Sequence, residues 1–419
     1  MSNIFKNYFA GYKAFSLNAR KFLLLTFFMS FAQSVFTLVF NLYILKLGYT
    51  RDFVGTLGAI PSLTIAALAI PLAIFCSAFP ARKTLLASLA VSFAAMFGMA
   101  LCTGRGPLMF FSLFYGASTA MFTITALPLM ARSSSEKERQ NLFSFQFAVS
   151  MTAAFAGNLV SGWLTGFWAS VLPGGDESAA AYRATMLAAC ALLLAAGFPA
   201  LKIKEDEARA DRTGGAAFSA IALGPALVVM APQFIIAFGA GMIMPYLNIF
   251  FKSGFDLHIA SLGFYMALMP LAMAAGGLVG PLLVTRLGRV KAMIAFQSLS
   301  IPFLATMGFS GLLLPTVLAT FARTMLMNAS WPVYSVFMLG HFPTAQHPAA
   351  SAIYTAGWNL ASALSARLSG RLQMDFGFTL SFLITITAYS AATLLLSRRF
   401  LKEDTKTPVA PTSIKEEIE

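Results

Sequence analysis

Apolar positions run along the chain in long unbroken blocks, parted by short polar knots. Twelve blocks can be counted, at about 22–47, 53–79, 84–103, 107–131, 141–171, 181–201, 218–251, 259–284, 290–312, 314–340, 348–373 and 376–397. A helix needs about 20 apolar residues to cross a bilayer, and a spanning strand needs only about ten, strictly alternating. The blocks are continuous and long, so the pattern predicts helices. The first block follows Lys6, Lys13, Arg20 and Lys21, as a secretory leader would. It is too long for a leader's apolar core, and many spans follow it, so it is read as a retained helix.

Composition sharpens this. Of 419 residues, 58% are hydrophobic and 11% charged, with mean hydropathy +0.75; soluble domains carry about 25% charged residues. A net charge of +13 could suggest nucleic acid, but the cations alternate with membrane-length segments, so no nucleic-acid partner is expected. With the N-terminus inside, the inner loops hold 21 cations and the outer loops 6, and Arg323 and Arg367 lie within blocks. That asymmetry predicts both termini cytoplasmic, in a plasma (inner) membrane. Cys76, Cys102 and Cys190 are an odd set inside apolar blocks and read as small buried hydrophobes. No metal-ligand spacing and no cofactor motif is present.

The chain repeats itself. FNLYILKLG (40–48) resembles LNIFFKSG (247–254), placing Asn41 over Asn248 at an offset of 207. TLGAIPSL (56–63) and SLGFYMAL (261–268) align at 205. RQNLFSF…GNLVSG and HPAASAI…ARLSG align at 208, Gly162 over Gly370, and Pro107 meets Pro315 at that same offset. Each half holds an even number of spans, so the halves are parallel repeats about an axis along the membrane normal. The predicted fold is all-α and integral to the membrane. Its twelve transmembrane helices form two parallel-related six-helix bundles around a central cavity. The N-terminal bundle takes 1–200, a cytoplasmic linker 201–217, the C-terminal bundle 218–400 and a polar tail 401–419.

On these features the chain resembles the major facilitator superfamily of transporters over essentially its whole length. GPLLVTRLGRVKAM (280–293) is similar to that family's loop motif: Gly280, Arg286, Gly288, Arg289 and Lys291 match, while Thr285 occupies the acid's place. The first-half copy, FPARKTLL, keeps only Arg82 and Lys83. The resemblance implies that this loop helps to close the cytoplasmic side, and the lost acid argues against a charge-paired version. A plain inside loop set by topology is the other reading. The family's Gly-Pro pattern in span five, tied to drug antiport, is absent from TAAFAGNLVSG (152–162).

Polar residues inside spans must face protein or water. Span one carries Thr26, Ser30, Gln33, Thr37 and Asn41 on one stripe, and span four Ser112, Tyr115, Thr119 and Thr123. Span ten carries Thr316, Arg323, Ser330 and Tyr334; span seven offers Gln233 and Asn248, with Gly239 and Gly241 between them. The resemblance implies that spans one, four, seven and ten line the cavity. Hydrogen bonding between packed helices is the competing reading. Substrate contacts are therefore expected from Gln33, Thr37, Asn41, Tyr115, Thr119, Asn248, Arg323, Ser330 and Tyr334. Arg323 lies near mid-depth, where an arginine costs about 2.5–3.5 kcal/mol, and no acid falls within a block. Either a substrate anion neutralises it or it caps backbone carbonyls. Arg367 and Lys46 are expected to extend outward.

No intramembrane Asp, Glu or His relay is visible, so coupling falls to an end carboxylate such as Asp52, to a protonated substrate, or to the substrate's own gradient. No HExxH, acid pair or Cys/His set supports an enzyme. The expected function is transport of a small polar, anionic solute by alternating access, with the protein acting as a monomer amid membrane lipid. A metabolite or drug exporter and a lysolipid flippase are the alternatives.

Overall fold

A computed structural model describes residues 15–77, 79–173, 178–204, 223–343 and 346–401. The charged stretch between the bundles and the polar tail fall almost wholly outside them. The described residues form twelve long helical segments. They are α1 (Leu17–Lys46), α2 (Arg51–Ser77), α3 (Ala81–Leu101), α4 (Arg105–Arg132), α5 (Glu136–Val171) and α6 (Ala179–Ala195, continued by Gly197–Leu201). After the linker come α7, α8 (Ile259–Leu287), α9 (Arg289–Phe309), α10 (Leu313–Leu339), α11 (His347–Phe376) and α12 (Thr379–Phe400). Helix α7 has two pieces, Leu223–Ile243 and Leu247–Phe255, joined by a 3₁₀ turn at Met244–Tyr246.

Helices are what lipid permits, because each satisfies its own backbone groups. Their starts are set locally. Ser16 and Ser178 accept bonds from Ala19 N and Ala181 N, and Ser135 with Glu138 forms a capping box at α5, supplying partners to otherwise orphaned amides. The α8–α9 turn rests on Gly288, whose φ of +88° and ψ of 168° suit only glycine. Pro245 lies in the break of α7, where its ring denies the helix a donor. Gly239 and Gly241, earlier in the same span, are close-packing positions. A Cβ on Gly241 would stand 2.6 Å from Ser362 O on α11.

Among the described residues, ten helices are long and apolar enough to cross a membrane. Helices α10 and α11 match them in length but are more polar. The protein is a multi-pass integral membrane protein.

The packing reproduces the repeat. α1 lies on α5 and α6, α2 on α4, and α3 on α4 and α6. Six helices later, α7 lies on α11 and α12, α8 on α10, and α9 on α10 and α12. The bundles meet along two seams, α2 on α11 and α5 on α8, which exchange under the same shift. A Cβ on Gly162 would stand 2.9 Å from Gly263 Cα on one seam; on the other, a Cβ on Gly55 would stand 3.4 Å from Gly370 Cα. These pairs are related by the offset of 208 that aligned Gly162 with Gly370. Glycines let the helix backbones of the two halves approach this closely.

Candidate functional site

The start of α1 and the end of α12 lie at one end of the bundle; the opposite end is here the far end. Bonds between the halves gather there. Asn41 Nδ2 on α1 donates to Pro245 O at 2.7 Å and to Asn248 Oδ1 at 3.1 Å, and Asn248 Nδ2 returns a bond to Leu38 O at 2.8 Å. The two asparagines that the repeat aligned therefore meet across the pseudo-axis. In this conformation their amides join the halves and are not open to a solute.

Two seam helices carry charges that the sequence reading did not bring together. Arg367 Nη1 on α11 reaches Asp52 Oδ2 on α2 at 3.2 Å and also donates to the Thr56 hydroxyl. Arg367 thus turns across the seam, where it was expected to extend outward: a carboxylate of the other half lies within its reach. Arg51 adds a bond to Ser253 at 3.4 Å and lies 5.1 Å from the Phe378 ring centroid. The positions that the offset of 208 relates to Arg367 and Asp52 on the other seam are Leu159 and Ala260, so this pair is not repeated there.

Deeper in the second bundle, Arg323 is 4% exposed. Its Nη1 approaches Met244 Sδ at 3.0 Å in the break of α7, and its Nη2 donates to the Tyr389 hydroxyl on α12. The guanidinium carbon lies 5.4 Å from the Tyr389 ring centroid, and Nε has no partner. Among the described residues no ion pair involves it. Sequence reading found the arginine but not Tyr389 or Met244, whose roles arise from where α7 breaks and α12 returns.

The remaining expected residues divide. On α1, Thr37 is exposed and Gln33 half-buried, with the Thr37 hydroxyl bonded to Gln33 O. On α4, Tyr115 and Thr119 are half-buried, and the Thr119 hydroxyl bonds to Tyr115 O. Ser330 and Tyr334 are each 1% exposed. Tyr334 donates to Val229 O on α7 and Gln297 on α9 donates to Ser330, so both hydroxyls serve packing within the second bundle. Gly280 lies inside α8, where a Cβ would stand 2.5 Å from Ala329 O; it is a contact with α10 more than part of a loop. Arg286, Arg289 and Lys291 are exposed.

An apolar cavity of about 480 Å³, broadly open on one side, lies where α2 meets α7 and α11, bounded by Leu63 and Ala67 of α2, Leu227 and Phe234 of α7, and Gly357 and the exposed Leu360 of α11. Among the described residues no cluster of three His, Cys, Asp or Glu could hold a metal ion.

Two six-helix bundles, joined on seams related by a pseudo-two-fold, define a membrane transporter architecture. The sequence matches the Major Facilitator Superfamily over residues 22–231 and again over 229–418. The chain belongs to that family. No curated protein matches it by sequence. Among solved structures it is similar to a bacterial homologue of the human lysosomal transporter Spinster in an inward-facing, unoccupied conformation. Identity is 13%, with 94% of this chain and 98% of that one covered, at a TM-score of 0.76. It is similar to the nucleoside transporter NupG at 14% identity, covering 93% and 100%, TM-score 0.69. It also resembles the D-xylose-proton symporter at 14%, covering 90% and 96%, TM-score 0.69. At such identities the likeness is one of fold.

Proposed function

We propose that the protein moves a small polar anion across the plasma (inner) membrane by alternating access, with Arg323 receiving the negative charge. The observation that carries this is a buried guanidinium whose partners are a hydroxyl and a thioether, with no carboxylate. A cation kept in such a place is costly unless a function retains it. It lies against the break of α7, so a shift of that hinge is what would present it to a solute. With both termini cytoplasmic, the conformation is inward-facing, sealed at the far end by Asn41, Asn248, Asp52 and Arg367. Gln33 and Thr37 of α1 and Tyr115 and Thr119 of α4 supply the facing polar surface. The loop of Arg286, Gly288, Arg289 and Lys291 engages when the inner side closes. The halves move as 1–200 and 218–400, tethered by 201–217.

The test is a thermal-shift screen of organic anions on the purified protein, followed by dissociation constants for Arg323→Lys and Arg323→Gln. A charge-assisted hydrogen bond contributes about 1.5–3 kcal/mol, or about 10- to 150-fold. Arg323→Gln should lose that much and Arg323→Lys less, since lysine keeps the charge without the planar fork. Unchanged affinity in the glutamine variant sinks the reading. The apolar cavity between α2, α7 and α11 favours a second reading, an amphiphilic anion such as a lysolipid with its tail in that cavity. Tighter binding as the alkyl chain of the probe lengthens would select it.

A further inference from the structure

Helix α11 has two opposite open faces. Leu360, Leu364 and Leu368, four residues apart, are 47%, 57% and 40% exposed. Ser351, Thr355 and Asn359, also four apart, form a second row, the first two exposed and the third half-buried. Thr355 and Leu364 are nine positions apart, about two and a half turns at 3.6 residues per turn, so the rows point in opposite directions. Lipid accepts leucines and rejects hydroxyls and amides, which leaves the polar row facing the aqueous space between the bundles. Toward the far end the same face is covered: the Ser362 hydroxyl bonds to Ala237 O on α7, and Tyr246 donates to Ala366 O.

Part of the donor capacity of this row is used within the helix. The Thr355 hydroxyl donates to Ser351 O at 2.8 Å, and Asn359 Nδ2 donates to Thr355 O at 2.9 Å. What remains includes two acceptors, Asn359 Oδ1 and the lone pairs of Thr355, beside the second N–H of Asn359. On the neighbouring α10, one N–H of the Asn328 amide is likewise bonded to Thr324 O at 2.8 Å. One turn on, Trp331, 41% exposed, meets Trp358 of α11 at 4.9 Å, edge to face. The wall combines acceptors with aromatic faces and carries no charge.

We infer that α11 supplies a second substrate wall, with Thr355 and Asn359 accepting hydrogen bonds from hydroxyl groups of the transported anion. Resting on the anion reading above, this deepens it: the solute is a polyhydroxylated organic anion, its charge directed to Arg323 and its hydroxyls to α11. A ring or carbon face of the solute lies against the flat indole faces of Trp331 and Trp358.

The test is isothermal titration of the full-length protein with two matched pairs, gluconate against hexanoate and glucuronate against cyclohexanecarboxylate. In each pair the hydroxylated member should bind at least tenfold more tightly. Thr355→Val and Asn359→Leu should each cut that preference by about three- to tenfold, the worth of one neutral hydrogen bond, while hexanoate binding stays as it was. Arg323→Gln should weaken both members of a pair alike. If the hydroxyl-free member binds as well, or if both wall variants keep the preference while Arg323→Gln still weakens binding, the wall is overturned and the anion site stands. If neither pair binds a protein that melts cooperatively, both readings fall. Thr355→Val is nearly isosteric, so the test survives should Asn359→Leu not fold.

Discussion

The alternating access proposed for this chain requires that the far-end contacts break in every cycle, and the pair between Asp52 and Arg367 is the one whose removal can be sized. The nitrogen–oxygen distance is 3.2 Å, and the side chains are 31% and 52% exposed. So open a pair belongs with surface salt bridges, at about 0.2–1 kcal/mol, far below the Coulomb energy of a buried one. Arg367 also donates to Thr56, a neutral bond of about 0.5–1.5 kcal/mol. Asp52→Asn removes the charge and keeps the shape, so it should favour the far-open state by at most about fivefold. Arg367→Gln removes both contacts, about 0.7–2.5 kcal/mol together, and should reach about 3- to 70-fold. Pulsed electron resonance between spin labels at Thr50 and Met374 reads the separation of α2 and α11 directly. Asp52→Asn combined with Arg367→Gln should give less than the sum of the single effects, by the energy of the pair. Distance distributions matching the parent in Arg367→Gln would refute the idea that this pair latches the halves.

Two further outcomes are expected. Cysteines at Ser134 and Gly106, at opposite ends of α4 in a background lacking the native cysteines, should label from opposite sides, Ser134 from the cytoplasm; same-side labelling would break the topology. Gly288→Ala should cost about 1–3 kcal/mol, since φ of +88° with ψ of 168° admits little but glycine, while Arg289→Lys should melt like the parent; equal melting of both variants would show that the turn is not strained.

The long helices were legible because most of them obey a local rule that lipid enforces: about twenty apolar residues in a row, with the backbone satisfied within each helix. The repeat was legible too. The shift that aligned Asn41 with Asn248 and Gly162 with Gly370 reappears as contacts across the pseudo-axis, because a duplicated bundle buries its equivalent faces in equivalent ways. Arg323 was conspicuous because a charge at that depth has no local excuse.

What only the tertiary structure decided is which way each polar side chain points and what it meets. The stripe on α10 was real, yet Ser330 and Tyr334 turn toward α9 and α7, while Thr355 and Asn359 of α11 lie open. A stripe records that one face of a helix escapes lipid, and packed protein and water both satisfy that rule. Asp52 and Arg367 lie 315 positions apart on helices of different halves. Their pairing depends on how the bundles dock, since the positions that the repeat relates to them, Ala260 and Leu159, carry no charge. The break in α7 has a local cause in Pro245, but its position against Arg323 and Tyr389 depends on how α10 and α12 pack around it.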